Sequence, residues 1–138
     1  MKIIKQAALI PFRYHQKGLE ILLITSLRKK KWIIPKGIVE EGQTDRETAQ
    51  KEAFEEAGIE GNLSPDLWGH YEEEKWGGLC RIKVYAMEVC SVADHWPECD
   101  QRRRKWVEAP KAAQWLTNRK LKKIVQKFIE HMHPEQSG

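Results

Sequence analysis

Long hydrophobic runs and paired cysteines are what this sequence lacks. No stretch approaches the ~20 consecutive apolar residues that a membrane-spanning helix requires. The N-terminus, MKIIKQAALIPF, has too short an apolar run for a secretory signal and no small-residue cleavage site. The three cysteines are an odd number without a CxxC pair, which favours neither a disulfide framework nor a zinc site. We therefore expect a cytoplasmic protein with free thiols and no membrane partner.

Positive charge is what the sequence has in excess. The chain has 138 residues, is 41% hydrophobic and carries a net charge of +4. That length and composition predict one domain over residues 1–138, long enough to bury a core. Two cationic runs, Arg28 to Lys31 and Arg102 to Lys105, stand out. Such runs are usually solvated loops, whereas a nucleic-acid patch or a rim that collects phosphate are the functional interpretations.

The stretch from Trp32 to Ile59 combines a strand end, a loop with two glycines and a helix rich in carboxylates. Thr44 and Glu47 have the spacing of a capping box, in which two side chains satisfy the first free amides of a helix. The helix is therefore predicted to begin at about Asp45. It is predicted to stop at Gly58, because glycine readily adopts the left-handed conformation that closes helices.

Three glutamates of this helix, Glu52, Glu55 and Glu56, fall within a sector of about 100°. Like charges this close repel one another unless a cation lies among them, and Mg²⁺ prefers such oxygen ligands. The alternative is a solvated helix face on which Lys51 pairs with Glu55. The adjoining sector holds small residues that favour close packing: Ala49, Ala53 and Ala57. Glu52 and Glu56 are therefore expected at the rim of a buried face.

The segment from Gly37 to Ile59 resembles the Nudix box. That pattern runs Gly, five residues, Glu, seven residues, Arg-Glu, an apolar residue, any residue, Glu-Glu, any residue, Gly and an apolar residue. The positions that match in register are Gly37, Glu52, Ala53, Glu55, Glu56, Gly58 and Ile59. Gln43 and Lys51 depart from it, standing where the family has Glu and Arg. A metal or acid–base role at position 43 therefore does not follow from the resemblance.

The order of elements predicts the fold class. Apolar runs predict strands over residues 3–14, 19–25, 32–35, 63–71 and 79–89, and helical spacing predicts helices from Glu108 to Leu116 and from Asn118 to His131. Strands, a helix, more strands and two final helices indicate a mixed sheet with helices on both faces. The resemblance implies the same α/β fold, a Nudix-type α/β/α sandwich with a mixed β-sheet. His131, His133 and residues 134–138 are expected to be a frayed terminus.

The resemblance also implies a reaction, the Mg²⁺-dependent hydrolysis of a phosphoanhydride (diphosphate) bond, with Mn²⁺ as the other candidate cation. Glu52 and Glu56, with Gly37, would hold the cation. Glu55, or another of the three glutamates, would take the proton from the attacking water. No arrangement of Ser, Cys or His suggests a nucleophile, so direct water attack is preferred over a covalent intermediate.

The segments that flank the box resemble the diphosphoinositol polyphosphate phosphohydrolase branch of Nudix proteins. They are LLITSLRKKKWIIPKG, Arg81 and WPECDQRRRKWVEAPKAAQWL. The candidate ligands for further phosphates are Arg28, Lys36, Gly37, Arg81, Arg102 and Arg104. The expected substrate is phosphate-rich, either a diphosphoinositol polyphosphate or a diadenosine polyphosphate, and the protein a monomer or homodimer.

Three alternatives stay open. One is an RNA 5′-end pyrophosphohydrolase, and another is an RNA-binding Nudix-fold protein without catalysis, because cationic runs with aromatics are the usual footprint of RNA binding. The third is a Nudix fold that has lost catalysis, which the departures at Gln43 and Lys51 motivate.

Overall fold

One mixed sheet carries the strands of the described chain. The structure, a computed structural model, describes residues 1–16 and 18–132. In chain order its elements are β1 (Lys2–His15), β2 (Gly18–Thr25), β3 (Trp32–Ile33), β4 (Lys36–Ile38), α1 (Asp45–Ala57), β5 (Ile59–Leu63), β6 (Gly69–Lys75), β7 (Gly78–Val92), β8 (Arg104–Glu108), α2 (Ala109–Trp115) and α3 (Arg119–Met132). The central order of strands is β3-β2-β1-β7-β5, while β4 pairs with β1, β6 with β7 and β8 with β2.

The sheet is mixed because β1 and β7 run parallel, whereas the other paired strands are antiparallel. Alternation along β7 separates two cores. Ile82 and Val84 face the cluster that α2 and α3 cover, and Tyr85 and Met87 face the cluster that α1 covers. The predicted α/β fold, a mixed sheet with helices on both faces, is therefore confirmed.

Helix α1 begins and ends as the sequence predicts. The Thr44 hydroxyl accepts a hydrogen bond from the Glu47 amide at 3.0 Å, and the Thr44 amide donates to the Glu47 carboxylate at 2.9 Å. Gly58 closes the helix with φ of 68°, a left-handed conformation that glycine adopts at little cost. This capping fixes which residues of α1 face the sheet.

The predicted strand over residues 63–71 is wrong. Strand β5 ends at Leu63 and β6 begins only at Gly69. Between them Pro65, which has no amide hydrogen, and a hydrogen bond from the Ser64 hydroxyl to the Asp66 carbonyl at 2.9 Å interrupt the strand. The segment stays beside β7, because the Ser64 amide donates to the Ala86 carbonyl at 2.7 Å. Strand β6 continues to Lys75, beyond the predicted end at residue 71.

Strands β1, β2, β3 and β7 and helices α2 and α3 lie within a few residues of their predicted positions, whereas β4 and β5 begin where no strand was predicted. The predicted frayed terminus is wrong for His131, which lies in α3, while His133 and residues 134–138 fall outside the described residues. Lys17, between the first two predicted strands, also falls outside them. No described helix combines the length with the apolar character that crossing a bilayer requires.

The capping box of α1 can be tested by stability measurements. Thr44→Ala removes the side-chain acceptor for the first free amides of the helix, and we expect the free energy of unfolding to fall by about 1 kcal/mol. Urea denaturation followed by circular dichroism measures this change. Thr117→Ala, at an exposed position between α2 and α3, is the matched control, and an equal loss in both variants would contradict the assignment.

Candidate active site

Two of the predicted glutamates pack against the backbone of β4. The Glu56 carboxylate accepts a hydrogen bond from the Lys36 amide at 3.2 Å. Glu52 lies against Gly37 so closely that a Cβ atom built on Gly37 would be 2.4 Å from its Cδ atom. Any larger residue at position 37 would therefore displace the Glu52 carboxylate, which explains a glycine here. The turn of α1 that carries the acids and the short strand before it form one unit.

Burial and mutual repulsion raise the pKa values of this pair. Glu56 is only 7% exposed, and burial raises its pKa to about 8, while the Arg102 guanidinium opposes the rise and the Glu52 charge adds to it. Burial and the charge of Glu55 raise the pKa of Glu52, and a hydrogen bond to the Glu56 side chain acts in the opposite direction. Without a cation, the pair is therefore poised to retain a proton near neutral pH.

Arg102 lies beneath the acids rather than on an open surface. Its side chain is 7% exposed, and its guanidinium faces the Glu56 carboxylate at 3.5 Å. Its Nε atom donates to Glu98 at 2.6 Å, and an Nη atom donates to the Thr25 carbonyl at 2.9 Å. Each nitrogen of the guanidinium therefore already has an acceptor within the protein.

Glu98 is a carboxylate of the site that the sequence analysis missed. Its charge contributes to the raised pKa values of both Glu52 and Glu56. Its backbone amide donates to the Glu55 carbonyl at 3.1 Å, which docks the segment before β8 onto the end of α1. The only hint in the sequence was its spacing of four residues from Arg102, which allows an ion pair within one turn.

Arg104 also points into the protein. One of its Nη atoms donates to the Ala57 carbonyl at 2.7 Å, at the C-terminal end of α1, and its guanidinium stacks 3.8 Å above the Trp96 ring. Trp96 in turn donates from its indole nitrogen to the Glu56 carbonyl at 3.1 Å. Arg102 and Arg104 thus hold the acid-bearing turn of α1 in place.

The other predicted phosphate ligands lie nearer the surface. Arg28 is exposed in the turn after β2, and Arg81 is exposed and pairs with Glu72 at 2.8 Å. Lys36 pairs with Glu73 at 2.9 Å. The structure therefore divides the predicted cations into a buried pair, Arg102 and Arg104, and a more accessible set.

The two positions that depart from the Nudix box have local roles. The Gln43 side chain accepts a hydrogen bond from the Thr48 hydroxyl at 3.2 Å, which ties the loop to the first turn of α1. Lys51 is exposed, and its charge lowers the pKa of Glu52. Neither residue joins the buried acid pair.

The donor set fits a divalent cation in an open site. Two neighbouring carboxylates, one buried and one half-buried, have raised pKa values and gain from a cation that neutralises them. The backbone oxygen of Gly37 is a further hard donor. Over residues 1–16 and 18–132, no three acidic, imidazole or thiol side chains converge into a preformed cation cage. Mg²⁺ suits such a set, because it usually binds one or two carboxylates and takes its other ligands from water and phosphate.

Comparison with known proteins identifies similar chains. The protein-family model described as NUDIX domain matches residues 4–131. An Arabidopsis thaliana protein named Nudix hydrolase 13, mitochondrial, is 31% identical over 132 residues, covering 88% of this chain and 65% of its own length. The chain thus spans slightly less than two thirds of that relative. A Bos taurus protein named Diphosphoinositol polyphosphate phosphohydrolase 3-beta is 32% identical over 115 residues, with coverage of 81% and 68%.

Among solved structures, the C. elegans Ap4A hydrolase is similar with a TM-score of 0.79. The two share 22% sequence identity, and the match covers 94% of this chain and 98% of that one. At this level of identity the likeness concerns the fold.

The buried acid pair predicts a pH-dependent stability of the metal-free protein. Glu56 has a folded pKa of about 8, above the ordinary glutamate value of 4.5, so its contribution to stability is fully present below about pH 4.5 and is lost as pH rises towards 8. Glu56→Gln keeps the shape without the charge, so its stability relative to the parent should increase over that interval. Urea denaturation in chelator at several pH values measures this trend, with Glu130→Gln as control. A difference that does not change with pH would contradict it.

Proposed function

The chain belongs to the NUDIX domain family, and from that premise we propose that it is an enzyme that hydrolyses phosphoanhydride bonds by direct attack of water. The observation that carries this proposal is the pair of half-buried Glu52 and buried Glu56, which pack against Gly37 and Lys36. A pure binding module has no need for buried carboxylates whose charges are unbalanced, because an unbalanced buried charge costs stability.

Glu52, Glu56 and the backbone of Gly37 would hold the divalent cation, Mg²⁺ or Mn²⁺. When bound, the cation neutralises charge on the diphosphate and lowers the pKa of the attacking water. Glu55, half-buried beside the pair, is our candidate to accept the proton from that water. Arg102 and Glu98 orient Glu56 from below, so they act as positioning residues.

The more accessible cations would bind the remaining phosphates of the substrate. Arg28, Lys36 and Arg81 provide this charge, whereas Arg102 and Arg104 act through the protein. The names of two similar proteins point to diphosphoinositol polyphosphates and to diadenosine polyphosphates as substrates. A single domain over residues 1–138, a cytoplasmic location and a monomeric or homodimeric state stay predictions.

A second candidate function is action on RNA 5′ ends or RNA binding. Trp32 and Trp115 pack with their ring centroids 5.6 Å apart, and Arg103 and Lys105 lie over these rings at 5.9 and 5.6 Å. Aromatic rings beside cations suit the stacking of single-stranded bases. RNA binding that is salt-sensitive but indifferent to Mg²⁺, without phosphate release from any anhydride, would favour a binding protein over the enzyme.

The substrate class can be found with one panel. The purified protein, with Mg²⁺ or Mn²⁺, is incubated with diphosphoinositol polyphosphates, diadenosine polyphosphates, nucleoside diphosphate sugars and 5′-triphosphorylated RNA. Phosphate release and product identity are measured. Hydrolysis of at least one anhydride that stops on addition of chelator is the expected result.

The paired glutamates should dominate turnover. We expect Glu52→Gln and Glu56→Gln each to lower kcat by about 10²-fold or more, the scale for losing one preorganised charged group in an active site. Circular dichroism should show an intact fold, and Glu130→Gln on the exposed side of α3 is the control. Near-normal kcat in both variants with metal bound would remove the pair from the reaction.

A further inference from the structure

Gln6 presents a buried acceptor that has no partner. Its side chain lies in the middle of β1 and is 4% exposed. Within the described ranges, residues 1–16 and 18–132, its Oε1 atom makes no hydrogen bond. Buried side-chain acceptors are nearly always satisfied, because an unmade hydrogen bond leaves the desolvation of the group uncompensated. A hydrogen-bond donor from outside the chain would therefore satisfy this acceptor.

Strand register places Gln6 on the α2/α3 face of the sheet. Gln6 lies opposite Ile38 of β4 and Ile82 of β7, and Ile82 lies opposite Tyr71 of β6. Side chains of directly opposed residues project from the same face of a sheet. Ile82 and Tyr71 belong to the core cluster covered by α2 and α3, which fixes the face to which Gln6 belongs.

An ion pair crosses the sheet over this row. Lys36 lies opposite Ala8, which is two residues after Gln6 on β1. Glu73 lies opposite Cys80, which is two residues before Ile82, the residue of β7 opposite Gln6. The Lys36 ammonium nevertheless meets the Glu73 carboxylate at 2.9 Å. Because β1 and β7 separate their strands, the two side chains reach across both strands and pass over Gln6. Both are only partly exposed, so the pair forms a polar cover above the unpartnered acceptor.

This cover and the catalytic carboxylates lie on opposite faces of the sheet, and Lys36 of β4 contacts both. The backbone amide of Lys36 donates to Glu56 at 3.2 Å, while its side chain reaches Glu73. A substrate with its anhydride at Glu52 and Glu56 would extend its neighbouring group over Lys36 and towards Gln6. Lys36 therefore contacts both the catalytic carboxylates and the polar cover above Gln6.

The chemistry of Gln6, Glu73 and Lys36 favours a ligand that donates hydrogen bonds. Gln6 Oε1 and the Glu73 carboxylate are acceptors, and Lys36 is a cation able to bind one phosphate. Burial and the charge of Glu73 raise the pKa of Tyr71, so its phenol stays protonated at neutral pH. A fully phosphorylated inositol presents only anionic acceptors here and would be repelled by Glu73, whereas a nucleobase presents exocyclic and ring N–H groups.

Resting on the proposed function, we propose that Gln6, Glu73 and Lys36 form a specificity site for the N–H-bearing edge of a nucleobase next to a phosphate. The site selects nucleoside polyphosphates over fully phosphorylated inositols. Substrate binding places the base edge at Gln6 Oε1 and Glu73, and Lys36 transfers its contact from Glu73 to a phosphate oxygen.

Gln6→Met tests the site, since it keeps the length of the side chain and removes the acceptor. We expect KM for diadenosine tetraphosphate to rise about tenfold, the ratio that corresponds to about 1.4 kcal/mol. kcat/KM for a diphosphoinositol polyphosphate should stay unchanged. The melting temperature of the free protein should stay equal or rise, because an unsatisfied buried acceptor is removed. Gln126→Met, on the exposed side of α3, is the matched control.

Glu73→Gln is the second variant, for the case that Gln6→Met does not fold. It removes the charge that repels phosphate, so kcat/KM for the diphosphoinositol polyphosphate should rise several-fold relative to that for diadenosine tetraphosphate. Unchanged KM for the dinucleotide in Gln6→Met, or an equal effect of either variant on both substrates, would overturn the proposal.

A binding experiment separates this proposal from the hydrolytic one. Adenosine monophosphate contains no anhydride, so its affinity by calorimetry is independent of hydrolysis. Gln6→Met should weaken this affinity about tenfold and leave the affinity for inorganic phosphate unchanged. Weakened binding in a protein that cleaves no anhydride would refute the proposed reaction and retain the specificity site, whereas unaltered binding would refute the site alone.

Discussion

The buried ion pair between Arg102 and Glu56 joins two parts of the chain that lie far apart in sequence. Both side chains are almost removed from solvent, and a charge in that position is costly unless it is paired and hydrogen-bonded. One guanidinium faces three carboxylates here, because Glu52 and Glu98 lie beside Glu56. The local charge is therefore unbalanced towards the negative. Burial raises the pKa values of the acid pair, and this imbalance adds to the rise. A divalent cation would neutralise the excess negative charge.

The C-terminal end of α1 is held by Arg104 and Trp96, close to the Arg102–Glu56 ion pair. Gly58 closes the helix in a left-handed conformation, and a Cβ atom at this position would lie 2.8 Å from the Arg104 guanidinium and 2.9 Å from the Trp96 ring. Glycine is therefore required twice, for backbone conformation and for space. Pairing of β8 with β2 sets Arg104 opposite Ile24, which fixes the depth at which the arginines enter. Helix end, loop and strand consequently hold one another in register, and a shift in any of them would move the Glu56 carboxylate.

The helix of the site could be predicted because its determinants are local. The Thr44–Glu47 capping box, the closing glycine and the angular spacing of the glutamates all lie within a few residues of one another. The strand predicted over residues 63–71 failed where Pro65 and a side-chain hydrogen bond of Ser64 overrode the apolar pattern. Glu98 was missed because its role depends on a contact with α1 across some forty residues. The cations 102–105 suggested one surface patch, yet their exposure alternates from residue to residue, so that Arg102 and Arg104 turn inward while Arg103 and Lys105 stay outside.

Lys36 shows why chemistry and selectivity are coupled in this arrangement. Its amide is fixed by Glu56, and its neighbour Gly37 is fixed by the need to accommodate Glu52, so the backbone of β4 cannot move without disturbing the acids. The Lys36 side chain pairs with Glu73 at a partly exposed site, where ion pairs are weak. A phosphate beside the reacting anhydride would compete for this ammonium more effectively than for the buried Arg102, whose nitrogens are already satisfied. The backbone of β4 is fixed, whereas the Lys36 side chain can change its partner from Glu73 to a phosphate. Substrate binding can therefore uncover Gln6 while the carboxylates keep their geometry.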